Sequence, residues 1–262
     1  MFLYNHHIGR TAGTTLGYIL ERNYGEGYLN IGKAEMSKYL GKVPLVDFSH
    51  HQINSDELNS IIDNCGKFPK CISSHYISIH NGVTSLRKRF KDFKMITFLR
   101  DPMPSVISHY FALRKKYLYL EELPAHIKYD YRNDINNWIR NNEYVSSKYG
   151  WINYCKSRQT YYFDNNYNLD KAIHRMQNDF WFVGIVERFE EGLLLLKDQF
   201  KKLGKDLNIM YVQQAHVLRS QKEIDQFVTP EVVIKLQDMN DLDRQLYEAA
   251  KQIFDEKVRN YN

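Results

Sequence analysis

The sequence predicts an α/β fold with a central parallel sheet flanked by helices, and three observations predict it. Short apolar runs alternate with stretches whose apolar residues fall at helical spacing, and strands that repeatedly feed helices lie parallel. Polar tips follow the apolar runs: "NHHIGRTAG" after "FLY", "SSHY" after "CI" and "RDP" after "ITFL". Over 262 residues, 43% are apolar and 26% charged, enough for the core of a single domain spanning 1–262.

The elements follow in order. "FLYNHHIG" is a short apolar start running into a loop. From Thr14 a helix begins, with Leu16, Ile19 and Leu20 on one face, and Gly25 and Gly27 break it. "VPLVDFSH", Val43 to His50, reads as a second strand. "SDELNSIIDNC" reads as a helix with Ser55 at its N-cap and Leu58, Ile61 and Ile62 inward. "KCISSHY" is a short strand with a polar tip. "FKMITFLRDP" is a clearer strand, Met95 to Leu99, after which Asp101 caps a helix that Pro102 opens. The stretch Tyr117 to Tyr162 is rich in Tyr, Asn and Lys and reads as a substrate-facing insertion. A strand from Trp181 to Ile185, a helix from near Glu187 and a helical tail with Pro230 near its start complete the chain.

Composition narrows the function. Three cysteines, Cys65, Cys71 and Cys155, form neither a disulfide framework nor a zinc motif. No signal-like or membrane-spanning run stands out, so a soluble cytoplasmic protein is expected. The net charge of +5 fits ordinary solubility and attraction for an anionic ligand equally well.

The chemistry concentrates in two stretches. In "HIGRTAGTTL", Gly13 allows close backbone approach, Thr11, Thr14 and Thr15 add hydroxyls, Arg10 adds charge, and Ala12 precedes a helix N-terminus suited to a phosphate. The spacing of Gly9 and Gly13, with no following lysine, is not that of a nucleoside-triphosphate loop. In "FLRDPMPSVISHYF", Arg100 stands at the carboxyl end of a strand, where ligands of open α/β sheets bind, and Ser108 lies two helical turns beyond Asp101. Arg100 and Ser108 could grip one phosphate; alone, they read equally as a surface Arg–Asp pair with an incidental serine.

Together the two stretches resemble the 5′-phosphosulfate loop and the 3′-phosphate motif of sulfotransferases that use 3′-phosphoadenosine 5′-phosphosulfate (PAPS). The resemblance is to the carbohydrate branch that includes heparan sulfate 2-O- and 6-O-sulfotransferases and small bacterial relatives. "SSHYISIH", "FVGIVERFEEGLLLLK" and "LDRQLYEAAKQIF" add to it. It implies a three-layer P-loop-like α/β fold, PAPS as sulfate donor and its bisphosphate (PAP) as product. It also implies a saccharide, anionic glycan or small-molecule hydroxyl acceptor, with no nucleic acid and no metal required. Arg10 to Thr15 would bind the 5′ end, Arg100 and Ser108 the 3′-phosphate, and Arg219 and Ser220 would sit on a late loop over the nucleotide. His75 would be the general base and Arg10 would stand in for the family lysine that stabilises the leaving oxygen. Gly9-Arg10 replaces the usual Pro-Lys of that loop, and a planar guanidinium is not a point charge.

The other histidines read as structural. His6 and His7 flank the loop and suit local packing, although His7 shares a family position. His50, His51 and His80 match no zinc spacing, and His109 lies on the helix after Arg100. "RKRFKDFK", Arg87 to Lys94, and Arg114 to Lys116 are basic clusters that read as solvated faces or as docking surfaces for an acidic glycan. Two other functions stay open at this stage: a nucleotide or small-molecule kinase, and a non-enzymatic binder of anionic polymers.

Overall fold

The computed structural model describes residues 1–40, 53–117, 134–140, 155–210 and 227–261. Five strands form one sheet: β1 (Phe2–His6), β2 (Tyr28–Ile31), β3 (Cys71–Ser74), β4 (Phe93–Leu99) and β5 (Phe182–Ile185). Every pairing is parallel, in the order β2-β3-β1-β4-β5. The parallel α/β architecture is therefore the one that the alternating pattern predicts. Tyr4 of central β1 lies between Ile72 of β3 and Met95 of β4. All five β1 residues are buried, so the strand reads as a continuous run rather than an alternation.

Helices flank this sheet. They are α1 (Gly13–Tyr24), α2 (Lys33–Leu40), α3 (Ser55–Asn64), α4 (Asn81–Arg89), α5 (Pro102–Tyr117), α6 (Arg158–Phe163), α7 (Leu169–Asn178), α8 (Phe189–Lys202), α9 (Pro230–Met239) and α10 (Asp241–Arg259). The main core joins the sheet to α1, α3, α8 and α10 through residues such as Leu16, Ile61, Leu196 and Phe254. A second apolar cluster joins Val106, Ile107 and Tyr110 of α5 to Trp138 and Ile139 of the short helix 135–140 and to Val232 and Leu236 of α9. Part of the Tyr117–Tyr162 stretch is thus core packing.

Several expectations are adjusted. The N-cap of α3 is Asn54, not Ser55: its side chain accepts from the amides of Asp56 and Glu57 at 2.9 Å each, and Glu57 returns a bond to the Asn54 amide. That reciprocal pair satisfies more of the helix's free amides than a serine one position later. Strand β2 falls at Tyr28–Ile31, directly after the glycine break, and the Val43–His50 strand lies outside the described residues. Near Glu187 the chain first makes a tight 3-10 turn, Val186–Arg188, before α8. The helical tail is made of two helices, α9 and α10.

Central β1 carries two buried polar side chains, and burial demands partners for them. Asn5 donates to the Ser73 hydroxyl at 2.9 Å. His6 Nδ1 faces the Tyr4 hydroxyl at 3.1 Å and Nε2 faces the Tyr162 carbonyl at 3.0 Å. A carbonyl can only accept, so Nε2 carries the proton and Nδ1 accepts from Tyr4. Burial drives the His6 pKa down to about 4, against the pull of the Tyr162 carbonyl. The folded pKa is then below the unfolded one, so the unfolded chain takes the proton first as pH falls. Stability from neutral His6 is complete above pH 6.5 and is lost progressively toward pH 4, to an extent of about 3 kcal/mol. The urea midpoint is expected to drop over that window, and to drop less in His6→Gln. An identical pH dependence in both proteins would remove His6 from this role.

Candidate active site

The site lies at the carboxyl ends of β1, β3 and β4. The loop between β1 and α1 holds two non-glycine residues in the left-handed region, Arg10 at φ 69° and Ala12 at φ 59°. Each such residue costs about 1–2 kcal/mol and persists only where the surroundings hold it. The Thr11 hydroxyl donates to the Ile8 carbonyl at 2.8 Å, which pins the loop. Thr11 is buried, and that hydroxyl bond gives it a part in the loop's shape. The loop delivers the N-terminus of α1, which has no side-chain cap and no acidic residue in its first turn. Thr14 is exposed and Thr15 half-buried on that turn.

Gly13 is needed at its position: a Cβ there would meet Nε2 of His7 at 1.5 Å. The His7 ring in turn packs on His75, with ring centroids 3.6 Å apart and the planes tilted by 32°. His75 Nδ1 bonds the His7 carbonyl at 2.7 Å. That carbonyl accepts, so Nδ1 carries the proton and Nε2 keeps a lone pair, the tautomer a general base requires. Crowding by protein lowers the His75 pKa to about 4, with Arg158, His6 and Arg10 adding to the effect and the His7 carbonyl opposing it. His75 nonetheless keeps partial access to solvent.

Arg10 and Ser108 come together. The Arg10 Nε and Nη2 donate to the Ser108 hydroxyl at 3.1 and 2.9 Å. Arg100 Nη1 donates to the Arg10 carbonyl at 3.3 Å. Ser108 therefore meets Arg100 through Arg10 rather than directly. Arg100 is buried, and its Nε has no hydrogen-bond partner among the described residues, with the Glu187 carboxylate 4.0 Å away. Burial first, and then Arg100 and Arg158, lower the Arg10 pKa from its ordinary value: the site carries an excess of positive charge. Asp101 caps its own helix, its Oδ1 accepting from the Met103 amide at 3.0 Å. Arg219 and Ser220 lie outside the described residues. His80 is engaged by Arg175, whose Nη2 approaches Nδ1 at 3.0 Å, and among the described residues no group of three or more metal-binding side chains is assembled.

Three residues of the site were not anticipated: Arg158, Gln159 and Asp243. Gln159 clamps the end of β4, accepting from the Arg100 amide at 3.0 Å and donating to the Arg100 carbonyl at 2.7 Å. Asp243 of α10 is buried and takes the amides of Gln159 and Thr160 at 2.8 and 2.6 Å and the Thr160 hydroxyl at 2.7 Å. It thereby caps α6 from another helix; the residue before α6, Ser157, has no capping side-chain bond of its own. The sequence carries a signal for this. Asp243 lies on the same face of α10 as buried Leu246, Tyr247, Ala250 and Phe254, a lone acid on an apolar stripe.

No known family's sequence profile matches the chain, and no curated protein matches it. Among solved structures, the chain is similar to a sulfotransferase from Alicyclobacillus acidocaldarius, with 11% identity and a TM-score of 0.43 over 91% of this chain and 94% of that one. At that level of similarity, that protein's activity does not carry over to this chain.

Proposed function

We propose that the protein transfers a sulfuryl group from PAPS to a hydroxyl acceptor, a saccharide or small molecule. The observation that supports this best is the cluster of Arg10, Ser108 and Arg100 after the strand ends, beside the α1 N-terminus, where a buried guanidinium nitrogen has no partner among the described residues. Such donors fit an anion carrying two separated phosphate groups. The uncapped first turn of α1 and Arg10 would hold the 5′ end, and Arg100 with Ser108 the 3′-phosphate. When bound, the donor supplies the sulfuryl group and an anionic leaving group. His75 Nε2 takes the proton of the acceptor hydroxyl. Nδ1–H, tied to the His7 carbonyl, holds the ring in place and keeps the lone pair outward. Arg10 and the α1 amides oppose the charge that grows on the leaving side, the larger part of such catalysis.

For the acceptor, a cleft of about 370 Å³ follows the chain beyond His75, lined by Asn54, Ser78, His80, Asn81 and Asn165. Amide and hydroxyl groups in an open cleft suit the many hydroxyls of a sugar.

The kinase alternative loses support from Asp101, one of whose carboxylate oxygens is engaged as a helix cap. The polymer-binding alternative loses support from the Arg87–Lys94 cluster, where Arg87, Arg89 and Lys94 each face a carboxylate: Asp179, Asp63 and Asp92. The side chains of Arg114 to Lys116 lie outside the described residues. Calorimetry with adenosine 3′,5′-bisphosphate against Mg-ATP tests the reading. Tighter binding of the bisphosphate is expected, and preference for Mg-ATP would overturn it. An acceptor screen with labelled PAPS and mass-spectrometric readout then identifies the acceptor.

A further inference from the structure

Arg158 sits deep in the site, yet no feature of either phosphate motif requires it. It is 6% exposed, in the first turn of α6. Its Nη2 donates to the Gly9 carbonyl and its Nη1 bonds His109 Nδ1 at 3.0 Å. The position is fixed from behind, because Asp243 caps the same turn of α6. A Cβ on Gly9 would meet Arg158 Nη2 at 2.2 Å and Cζ at 3.3 Å, with His75 Cε1 at 3.8 Å. The guanidinium therefore fills the space that any side chain at position 9 would take, next to the imidazole of His75.

We infer that Arg158 is a positioning residue for the loop and for the packed His7–His75 pair, and that residue 9 is glycine because the Arg158 guanidinium occupies its side-chain space. Two consequences follow from the geometry. A Gly9 carbonyl tied to a guanidinium cannot turn toward an incoming anion, so the loop presents amides instead. A fixed cation beside His75 adds to burial in keeping the ring neutral and its lone pair available. The groups facing that ring are His6 and His7 from β1 and its end, Arg10 from the loop, Arg158 from α6 and Tyr76 from the segment after β3. Arg158 is the first of the charges among them that disfavour protonation. The bulk missing at position 9 is supplied by a residue far along the chain.

What the loop and the imidazole do rests on the sulfuryl-transfer reading; the pairing of Gly9 with Arg158 does not. Thermal unfolding of Gly9→Ala, Arg158→Ala and the double variant tests the pairing. Gly9→Ala is expected to lower Tm in the parent and to cost little once Arg158 is shortened. If Arg158→Ala does not fold, Arg158→Lys, which lacks the colliding nitrogen, serves the same cycle. An equal loss of Tm from Gly9→Ala in both backgrounds overturns the pairing. Histidine NMR titration of the intact protein tests the positioning. In Arg158→Gln the His75 midpoint is expected to rise above about 4 while burial still holds it below 6.5, and in Arg158→Lys to stay near the parent value. An unmoved midpoint in Arg158→Gln overturns it. Where the parent transfers sulfate, Arg158→Gln should also lower kcat by about 10²-fold, with Arg158→Lys partly restoring it. A parent that binds no bisphosphate would defeat the proposed function while leaving the unfolding and titration results to decide this inference.

Discussion

Replacing His75 with alanine is expected to lower kcat by ~10²–10⁴-fold while leaving affinity for adenosine 3′,5′-bisphosphate unchanged. The split follows from where the residue is held. His75 touches the loop through the His7 carbonyl and the His7 ring, whereas the loop's own shape is kept by the Thr11–Ile8 bond and by Arg158 on Gly9. The pH dependence is more specific still. Burial and the surrounding cations hold the free-protein pKa at about 4, which makes the ring neutral at pH 7 but a weak base. An anionic donor bound beside Arg10 and Arg158 offsets those cations and raises the pKa toward the range suited to proton abstraction. The acidic limb of kcat/KM, which reports the free protein, is therefore expected near pH 4, and the limb of kcat at higher pH. Both limbs should be absent from the residual activity of His75→Ala. Full activity in that variant, or a kcat limb below that of kcat/KM, would remove His75 as the base.

Much of this site is legible because it is local. An apolar run, a glycine-bearing loop and a helical face in succession announce β1, the loop and α1, and a strand closed by Asp101-Pro102 announces β4 and α5. Each of those signals lies within a few residues of what it specifies. Strand β2 escapes because four residues, "YLNI", are too short a run to stand out from the glycine break before them. Arg158 and Gln159 escape for a different reason. Their roles are set by backbone groups of Gly9 and Arg100, distant in sequence, and by a cap from Asp243, so no periodicity in "SRQTYYF" can carry them. Ser108 is intermediate: its helical position is readable, but only tertiary structure shows that it receives Arg10 rather than Arg100.

Arg100→Ala should weaken binding of adenosine 3′,5′-bisphosphate by about 10–10²-fold, the worth of one or two charge-assisted hydrogen bonds. The variant is a clean test because the backbone at position 100 does not depend on its side chain: Gln159 holds both the amide and the carbonyl. Truncation also removes the cation nearest Glu187, whose Oε1 lies 4.0 Å from Arg100 Nε. Glu187 keeps the Tyr247 hydroxyl at 2.8 Å and the Asp101 amide at 3.2 Å, so it stays in place. Part of the lost affinity then comes from exposing the ligand to that carboxylate. Two further variants separate the contributions. Arg100→Lys restores charge without the planar fork and should recover only part of the affinity. Adding Glu187→Gln to Arg100→Ala should recover another part by removing the repulsion. Calorimetry at several salt concentrations completes the case, since the charge contribution shrinks as salt rises and the fork geometry does not. If bisphosphate affinity is unchanged in Arg100→Ala, the Arg100 Nε belongs to some other contact and the 3′-phosphate must be sought elsewhere on the sheet edge.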